Sequence, residues 1–202
     1  MKRCIVVGKP NAGKTLFVLN FAAYLRARSV TILFEDPAGA RISKTYEIGA
    51  AVKDLVGPKP HTTRRLQSIV LELQVGKGRK PVELVDTTGF SEGIHADGEI
   101  RKAMAQTLAA LRRAGIILHI IDAASIGKAG APEALGEADY QVARFAQSRG
   151  GYCILANKMD LLEAKEGLAK LSREFPDSLI IPISALRSEG FREVKRFVLS
   201  QL

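Results

Sequence analysis

The chain has 202 residues, 47% hydrophobic and 25% charged, which suits one globular domain with a core of its own. Thirty Lys and Arg against twenty-one Asp and Glu give a net charge of +9. That excess favours phosphate-rich partners such as nucleotides and RNA, or is simply a solvated basic surface. The longest nearly unbroken apolar stretch, Gly115–Ile121, is too short to span a bilayer, and the first apolar run follows Met1 too closely for a signal or transit peptide. With Lys2 after Met1 no myristoylation is expected, and with the end FVLSQL no prenylation. Cys4 and Cys153 both fall in strand-like runs, so buried free thiols in a reducing cytoplasm are expected, with no membrane partner.

In chain order, strands are expected at Lys2–Val7, Gln67–Val75, Pro81–Val85, Ile116–Ile121, Tyr152–Ala156 and Leu179–Pro182. Helices are expected at Lys14–Arg26, Glu99–Ala114, Ala134–Gln147, Leu161–Glu174 and Glu189–Leu202. Such alternation argues for a largely parallel sheet covered by helices. GKGR at Gly76–Arg79 reads as a tight turn, making Gln67–Val85 a hairpin and adding one antiparallel edge strand. Ser29–Pro60 fits less well. It holds the short apolar run VTILF, then EDPAGAR, a plausible helix SKTYEIGAAVKDLV, and GPKP.

Residues 8–17 read GKPNAGKTLF, directly after Cys4–Val7. Gly8 and Gly13 bracket Lys9, Pro10, Asn11 and Ala12, and Lys14 and Thr15 follow, which is the P-loop pattern between a strand and a helix. Glycines let backbone N–H groups turn towards phosphate oxygens, and the helix N-terminus adds partial positive charge. Lys14 would reach the β- and γ-phosphates, and the Thr15 hydroxyl would ligate Mg²⁺. In LVDTTG, Asp86 ends an apolar strand where a carboxylate can hold magnesium through water, and Gly89 can offer its N–H to a γ-phosphate.

LANKMD decides the base. Asp160 can accept from both N1–H and N2–H₂ of guanine, a two-point match that adenine cannot make. Polar matching of this kind discriminates by roughly 10⁴ or more. Asn157 would brace the loop and base edge, and the Lys158 stem would cover the ring. In PISAL, Ser184, Ala185 and Leu186 follow the next strand, where a backbone N–H could meet guanine O6. Between the P-loop and Asp86 lies HTTRR, His61–Arg65, where a threonine would complete the magnesium shell. Thr63 is the first choice and Thr62 the second, and the same loop reads equally as ordinary surface.

Gly8–Thr15, Thr63, Asp86–Gly89, Asn157–Asp160 and Ser184–Leu186 resemble, in order, the five signature elements of the small GTPase G domain. GKPNAGKT, TTR and NKMD, together with DTTGFSEGIH and LHIID at Leu118–Asp122, are most similar to the Era/Obg-like branch of the translation-factor class. The resemblance covers nearly the whole chain except Ser29–Pro60. It implies a P-loop NTPase fold: three α/β/α layers, a mostly parallel six-stranded sheet with one antiparallel edge strand, and an insert before switch I. The chain would be a single GTP-binding domain, residues 1–202, with the insert at about 29–60. GTP and GDP would bind at Gly8–Thr15, Thr63, Asp86, Gly89, Asn157, Lys158, Asp160 and Ser184–Leu186, with Mg²⁺ at Thr15, Thr63 and, through water, Asp86. Lys14, Asn11, Thr63 and Gly89 would serve hydrolysis. Ribosome or rRNA association, and a GTP-dependent dimer or partner protein, are further expectations.

Two departures bear on mechanism. Where Ras-like proteins carry a water-orienting glutamine, this chain has Phe90, which cannot hydrogen-bond water. In relatives with Asn at the place of Asn11, that side chain helps bind K⁺ beside the phosphates, so Asn11 is a candidate K⁺ ligand. The bland alternative is that Asn merely tolerates the loop's unusual backbone angles. The second departure is the forty-eight-residue separation of Thr15 and Thr63, long for this branch. The rival function is a nucleotide-dependent assembly module with negligible turnover. His119 is expected to be a core histidine, and neither His61 nor His95 has metal-ligand spacing.

Overall fold

The computed structural model describes residues 1–57, 65–89, 98–128 and 135–202. The candidate switch residues Thr62, Thr63 and Phe90, with His61 and His95, lie outside them, as does Ala134, the expected start of a helix. The elements are β1 Lys2–Val7, α1 Lys14–Tyr24, β2 Ser29–Glu35, β3 Arg41–Glu47, α2 Ile48–Leu55, β4 Leu66–Val75, β5 Gly78–Asp86, α3 Gly98–Arg113, β6 Ile116–Asp122, α4 Ala123–Gly127, α5 Glu137–Gln147, β7 Tyr152–Asn157, α6 Ala164–Glu174, β8 Ile180–Pro182 and α7 Phe191–Ser200.

All the strands join one sheet, ordered β3-β2-β4-β5-β1-β6-β7-β8. From β5 to β8 the pairs are parallel, and β2, β3 and β4 are joined to their neighbours in antiparallel fashion. The α/β, mostly parallel fold is therefore as expected, but the sheet has eight strands rather than six. The β4–β5 hairpin turns at Gly76–Lys77 as read, with Val75 opposite Gly78, yet β4 is not the edge. Leu33–Glu35 of β2 pairs with Leu66–Ser68, and β3 lies beyond β2.

The expected helix SKTYEIGAAVKDLV is divided. Its first residues complete β3, where Thr45 sits opposite Thr31 with their hydroxyls 2.9 Å apart, and the rest forms α2. β-branched and aromatic residues at 42–46 pair better on a pleated surface than in a helix. Charged Arg41, Lys44 and Glu47 keep the exposed outer edge of β3 from recruiting further strands.

Alternation along β1 builds the three layers. Cys4 and Val6 point to one core with Phe17, Phe21, Leu118, Leu155 and Phe191, beneath α1 and α7. Ile5 and Val7 point to the other, with Leu111, Ile117, Ala143, Ile154 and Leu171, beneath α3, α5 and α6. Phe17 stacks on Phe21 at 5.3 Å, and Phe191 meets both edge-on at 5.3 and 5.6 Å. Truncating Phe191, which is 1% exposed, to Ala would cost about 3–5 kcal/mol. Cys4 and Cys153 are buried free thiols, and burial pushes both thiol pKa values up, leaving them inert.

Candidate nucleotide-binding site

Parallel β5, β1, β6 and β7 all end at the same edge of the sheet, bringing Asp86, Gly8, Asp122 and Asn157 together. Such a carboxyl edge is where open α/β sheets place ligands. The glycine loop leaves β1 and enters α1 through Gly13, whose φ is 100°. A β-carbon there would stand 2.3 Å from Asn157 Nδ2, so only glycine fits both the angle and the approach. Gly89 is constrained by proximity alone, since its β-carbon would stand 2.4 Å from the Pro10 nitrogen.

Lys14 is buried, and its Nζ donates to the carbonyls of Gly8 at 3.1 Å and Lys9 at 2.7 Å. An ammonium has three donors, so one more can meet an anion in front of the loop. Burial pulls its pKa down to about 8, against the opposing pull of Asp86 and Asp139. Thr15 Oγ1 donates to Asp86 Oδ2 at 2.6 Å. Asp86 is 1% exposed, and burial pushes its carboxyl up to about 6 despite that bond and the nearby Lys14 charge. Its Oδ1 is buried with no hydrogen-bond partner. A hydroxyl, a carboxylate and an orphaned carboxylate oxygen are hard donors of the kind that magnesium takes. Among the described residues no group of three His, Cys, Asp or Glu gathers as a metal cluster.

Asn11 lies exposed on the loop with φ 60°, so the left-handed backbone that favours Asn is present whatever its side chain does. At the other end of the site, Asn157 is 2% exposed. Its Nδ2 donates to the Ala12 carbonyl at 2.7 Å, and its Oδ1 accepts from the Ala185 N–H at 2.9 Å. Of the backbone N–H groups around Ser184 and Ala185 expected to offer a donor for guanine O6, that of Ala185 is engaged by Asn157 here. Ser184 Oγ donates to Asp160 Oδ1 at 2.6 Å and accepts from the Arg187 N–H at 3.1 Å. Leu186 next to them is largely exposed.

Two carboxylates of the site escaped the sequence reading as functional groups. Asp122 ends β6, and its Oδ2 accepts from Lys158 Nζ at 2.6 Å and from Ser125 Oγ at 2.8 Å. Its place at a parallel strand's carboxyl end was the available signal. Asp139 in α5 accepts from or shares a proton with His119 Nε2 at 3.0 Å and stands 3.8 Å from Lys9 Nζ. His119, fully buried as expected of a core histidine, also meets the Tyr152 hydroxyl at 3.1 Å. Although burial opposes it, the pull of His119, the Gly136 N–H and Lys9 holds the Asp139 carboxyl below the usual range.

Behind the nucleotide edge, Thr87 Oγ1 donates to the Val6 carbonyl at 2.8 Å, and Thr88 Oγ1 lies 3.0 Å from Thr107 Oγ1 of α3. Gln106 of the same helix donates to the carbonyls of Glu35 and Asp36, at 3.2 and 3.0 Å. The segment after Asp86 is thereby bonded to α3, and α3 to the β2–β3 turn.

A strand, glycine loop and helix with a carboxylate on the adjacent strand define the P-loop class of nucleotide-binding folds. A family model described as 50S ribosome-binding GTPase matches residues 45–158, and the chain belongs to that family, as an Era/Obg-like P-loop GTPase. It is 29% identical over 145 residues to the GTPase Obg of Akkermansia muciniphila, a match covering 71% of this chain and 40% of that protein. An Era variant from Aquifex aeolicus bound to GDP and aluminium fluoride superposes with a TM-score of 0.68 at 21% identity, covering all of this chain and 57% of that one. Era in complex with MgGDPNP and nucleotides 1506–1542 of 16S ribosomal RNA gives 0.67 at 23% identity, covering all of this chain and 56% of that one. These structural likenesses show the fold. The chain spans 40% of the length of its Obg relative. No helix among the described residues is long and apolar enough to cross a membrane.

Proposed function

We propose that residues 1–202 form one GTP-binding domain that hydrolyses GTP to GDP and phosphate and acts as a molecular switch in association with the ribosome or its RNA. The observation that carries this reading is the pairing of Thr15 Oγ1 with Asp86 Oδ2 at 2.6 Å while Asp86 Oδ1 is orphaned in a buried place. Thr15 and Asp86, the latter through water, would hold Mg²⁺, with Thr63 as a further ligand. When bound, the metal neutralises charge across the β- and γ-phosphate oxygens.

The loop N–H groups of Gly8–Thr15 and the Lys14 ammonium bind the phosphates, and the Gly89 N–H meets the γ-phosphate. Asp160 accepts from the guanine edge, with Ser184 holding its Oδ1 in place. Lys158, drawn aside by Asp122, lays its stem along the base. Asn157 locks the base loop to the phosphate loop, so base recognition and phosphate geometry are set by one carboxamide. Asn11 offers a neutral carboxamide oxygen, a donor suited to K⁺, and a cation there would offset charge that Phe90 cannot help to disperse.

The 16S ribosomal RNA bound by Era and the ribosome-binding character of the family, with the net charge of +9, support ribosome or rRNA as partner. Phosphate release from GTP by the purified chain with Mg²⁺, in potassium and in sodium chloride, tests the reading. Turnover stimulated by potassium supports it; GTP binding with no turnover in either salt replaces the enzyme by a nucleotide-dependent assembly module.

A further inference from the structure

Six exposed cations gather at the end of the sheet opposite the phosphate loop. Lys2 opens β1, Lys77 lies in the β4–β5 turn, and Arg79 and Lys80 follow on β5. Arg112 lies in the last turn of α3, and Arg149 precedes β7. Backbone contacts draw them into one surface. Lys2 Nζ donates to the Gln201 carbonyl, Lys80 Nζ to a terminal oxygen of Leu202 at 3.3 Å, and Arg149 Nη2 to the Arg112 carbonyl at 2.9 Å. Gly115, just after α3, packs against the Lys2 side chain.

Among the described residues no Asp or Glu side chain pairs with any of the six, whereas Arg3, on the same strand as Lys2, is paired to Glu83 at 2.7 Å. Helix C-termini account for part of this charge, since Arg112 ends α3, Arg149 follows α5 and bonds the Arg112 carbonyl, and Lys2 meets the Gln201 carbonyl at the end of α7, whereas Lys77 and Arg79 serve no helix. Nor do these charges serve the nucleotide, since the length of β1 puts roughly 17 Å between Lys2 and the loop.

We propose that this end of the domain is a docking surface for the phosphate backbone of RNA. The choice of RNA rests on the ribosomal reading above, and the inference deepens it by naming the surface. Guanidinium groups on Arg79, Arg112 and Arg149 suit the geometry of phosphate, and phosphate contacts position a nucleic acid without reading its sequence. Binding is then tolerant of sequence and steeply dependent on salt.

The test is fluorescence anisotropy of a labelled single-stranded RNA with the GDP-loaded chain between about 50 and 200 mM salt. Each phosphate that the protein ceases to neutralise lowers the log–log salt slope by about 0.7. Lys80→Glu/Arg112→Glu/Arg149→Glu is expected to weaken binding at least tenfold at about 100 mM salt and to reduce the slope by about 2. Lys77→Glu/Arg79→Glu, in and beside the exposed turn, is expected to weaken it less, and GDP affinity stays unchanged in both. Unaltered RNA affinity and slope in variants that still bind GDP overturn the surface assignment. So does binding by the unaltered chain to anionic phospholipid vesicles but not to RNA. Ribosome co-sedimentation kept by the triple variant refutes this surface while leaving ribosome association standing.

Discussion

Asn157 Nδ2 donates to the carbonyl of Ala12 at 2.7 Å, joining the end of β7 to the middle of the phosphate loop across most of the chain. The same side chain takes the Ala185 N–H, so one buried carboxamide holds three loops in register. Asn157→Ala leaves a buried carbonyl and a buried N–H without partners, each of which costs about 1–3 kcal/mol. Nucleotide affinity is expected to fall at least tenfold and the urea midpoint to drop with it. Gly13→Ala, which drives a methyl group into Asn157 Nδ2, is expected to do the same. An Asn157→Ala chain with unchanged stability and unchanged mant-GDP affinity would show that the loops hold their register unaided.

On the proposed reading, Asp160 sets the base. Asp160→Asn replaces an acceptor with a group that can donate, which suits the additional carbonyl of xanthine. Competition titrations are expected to show GTP affinity reduced by roughly 10²-fold or more, with xanthosine triphosphate binding gained. Because Ser184 Oγ is bonded to Asp160 Oδ1, Ser184→Ala is expected to weaken GTP without changing which base is preferred. Unchanged GTP preference in Asp160→Asn would remove Asp160 from the base site.

Burial sets Lys14 at about 8 and Asp86 at about 6, so between those values both are charged and buried. The Asp86 carboxyl holds its proton more tightly in the folded chain, so stability falls as pH rises from 3.8 to about 6. Lys14 holds its proton less tightly when folded, so stability is regained as pH rises from about 8 towards 10.5. The ligand-free protein is thus penalised at neutral pH by the two groups that would meet Mg²⁺ and phosphate. Lys14→Met removes this titration but also strands the Gly8 and Lys9 carbonyls, so it is expected to abolish the recovery of stability above about pH 8. Its GTP affinity is expected to collapse. A recovery of stability between about pH 8 and 10.5 that persists in Lys14→Met would contradict this balance.

Asn11 carries two explanations that a pair of substitutions can separate. Asn11→Gly keeps the left-handed backbone at φ 60° and removes the carboxamide, whereas Asn11→Ala strains the backbone as well. If Asn11 is a K⁺ ligand, both variants lose potassium stimulation of GTP hydrolysis. Stimulation retained by Asn11→Gly would leave Asn11 a purely conformational choice.

The loops proposed to hold phosphate and base stand out in the sequence because each is a local pattern: Gly8 to Thr15, Asp86 to Gly89 and Asn157 to Asp160 are set by spacing around a strand end. The strands carrying them were legible for a similar reason, being short apolar runs between turn residues. The β2–β3 hairpin was not. Its place in the sheet depends on Leu33 finding Ser68, a pairing between distant segments that neither advertises. Tyr46 and Ile48 also continue a helix-like apolar pattern across what proves to be the junction of β3 and α2. Asp139 escaped notice because its partners, His119, the Gly136 N–H and Lys9, come together only through the packing of α5 on β6 and the loop.

The most direct test of the account is displacement of mant-GDP from the purified chain by unlabelled GTP and by ATP in the presence of Mg²⁺. The account predicts that GTP displaces it stoichiometrically, while ATP fails even at about thousandfold excess because Asp160 finds no donors on adenine. Comparable displacement by ATP would contradict it.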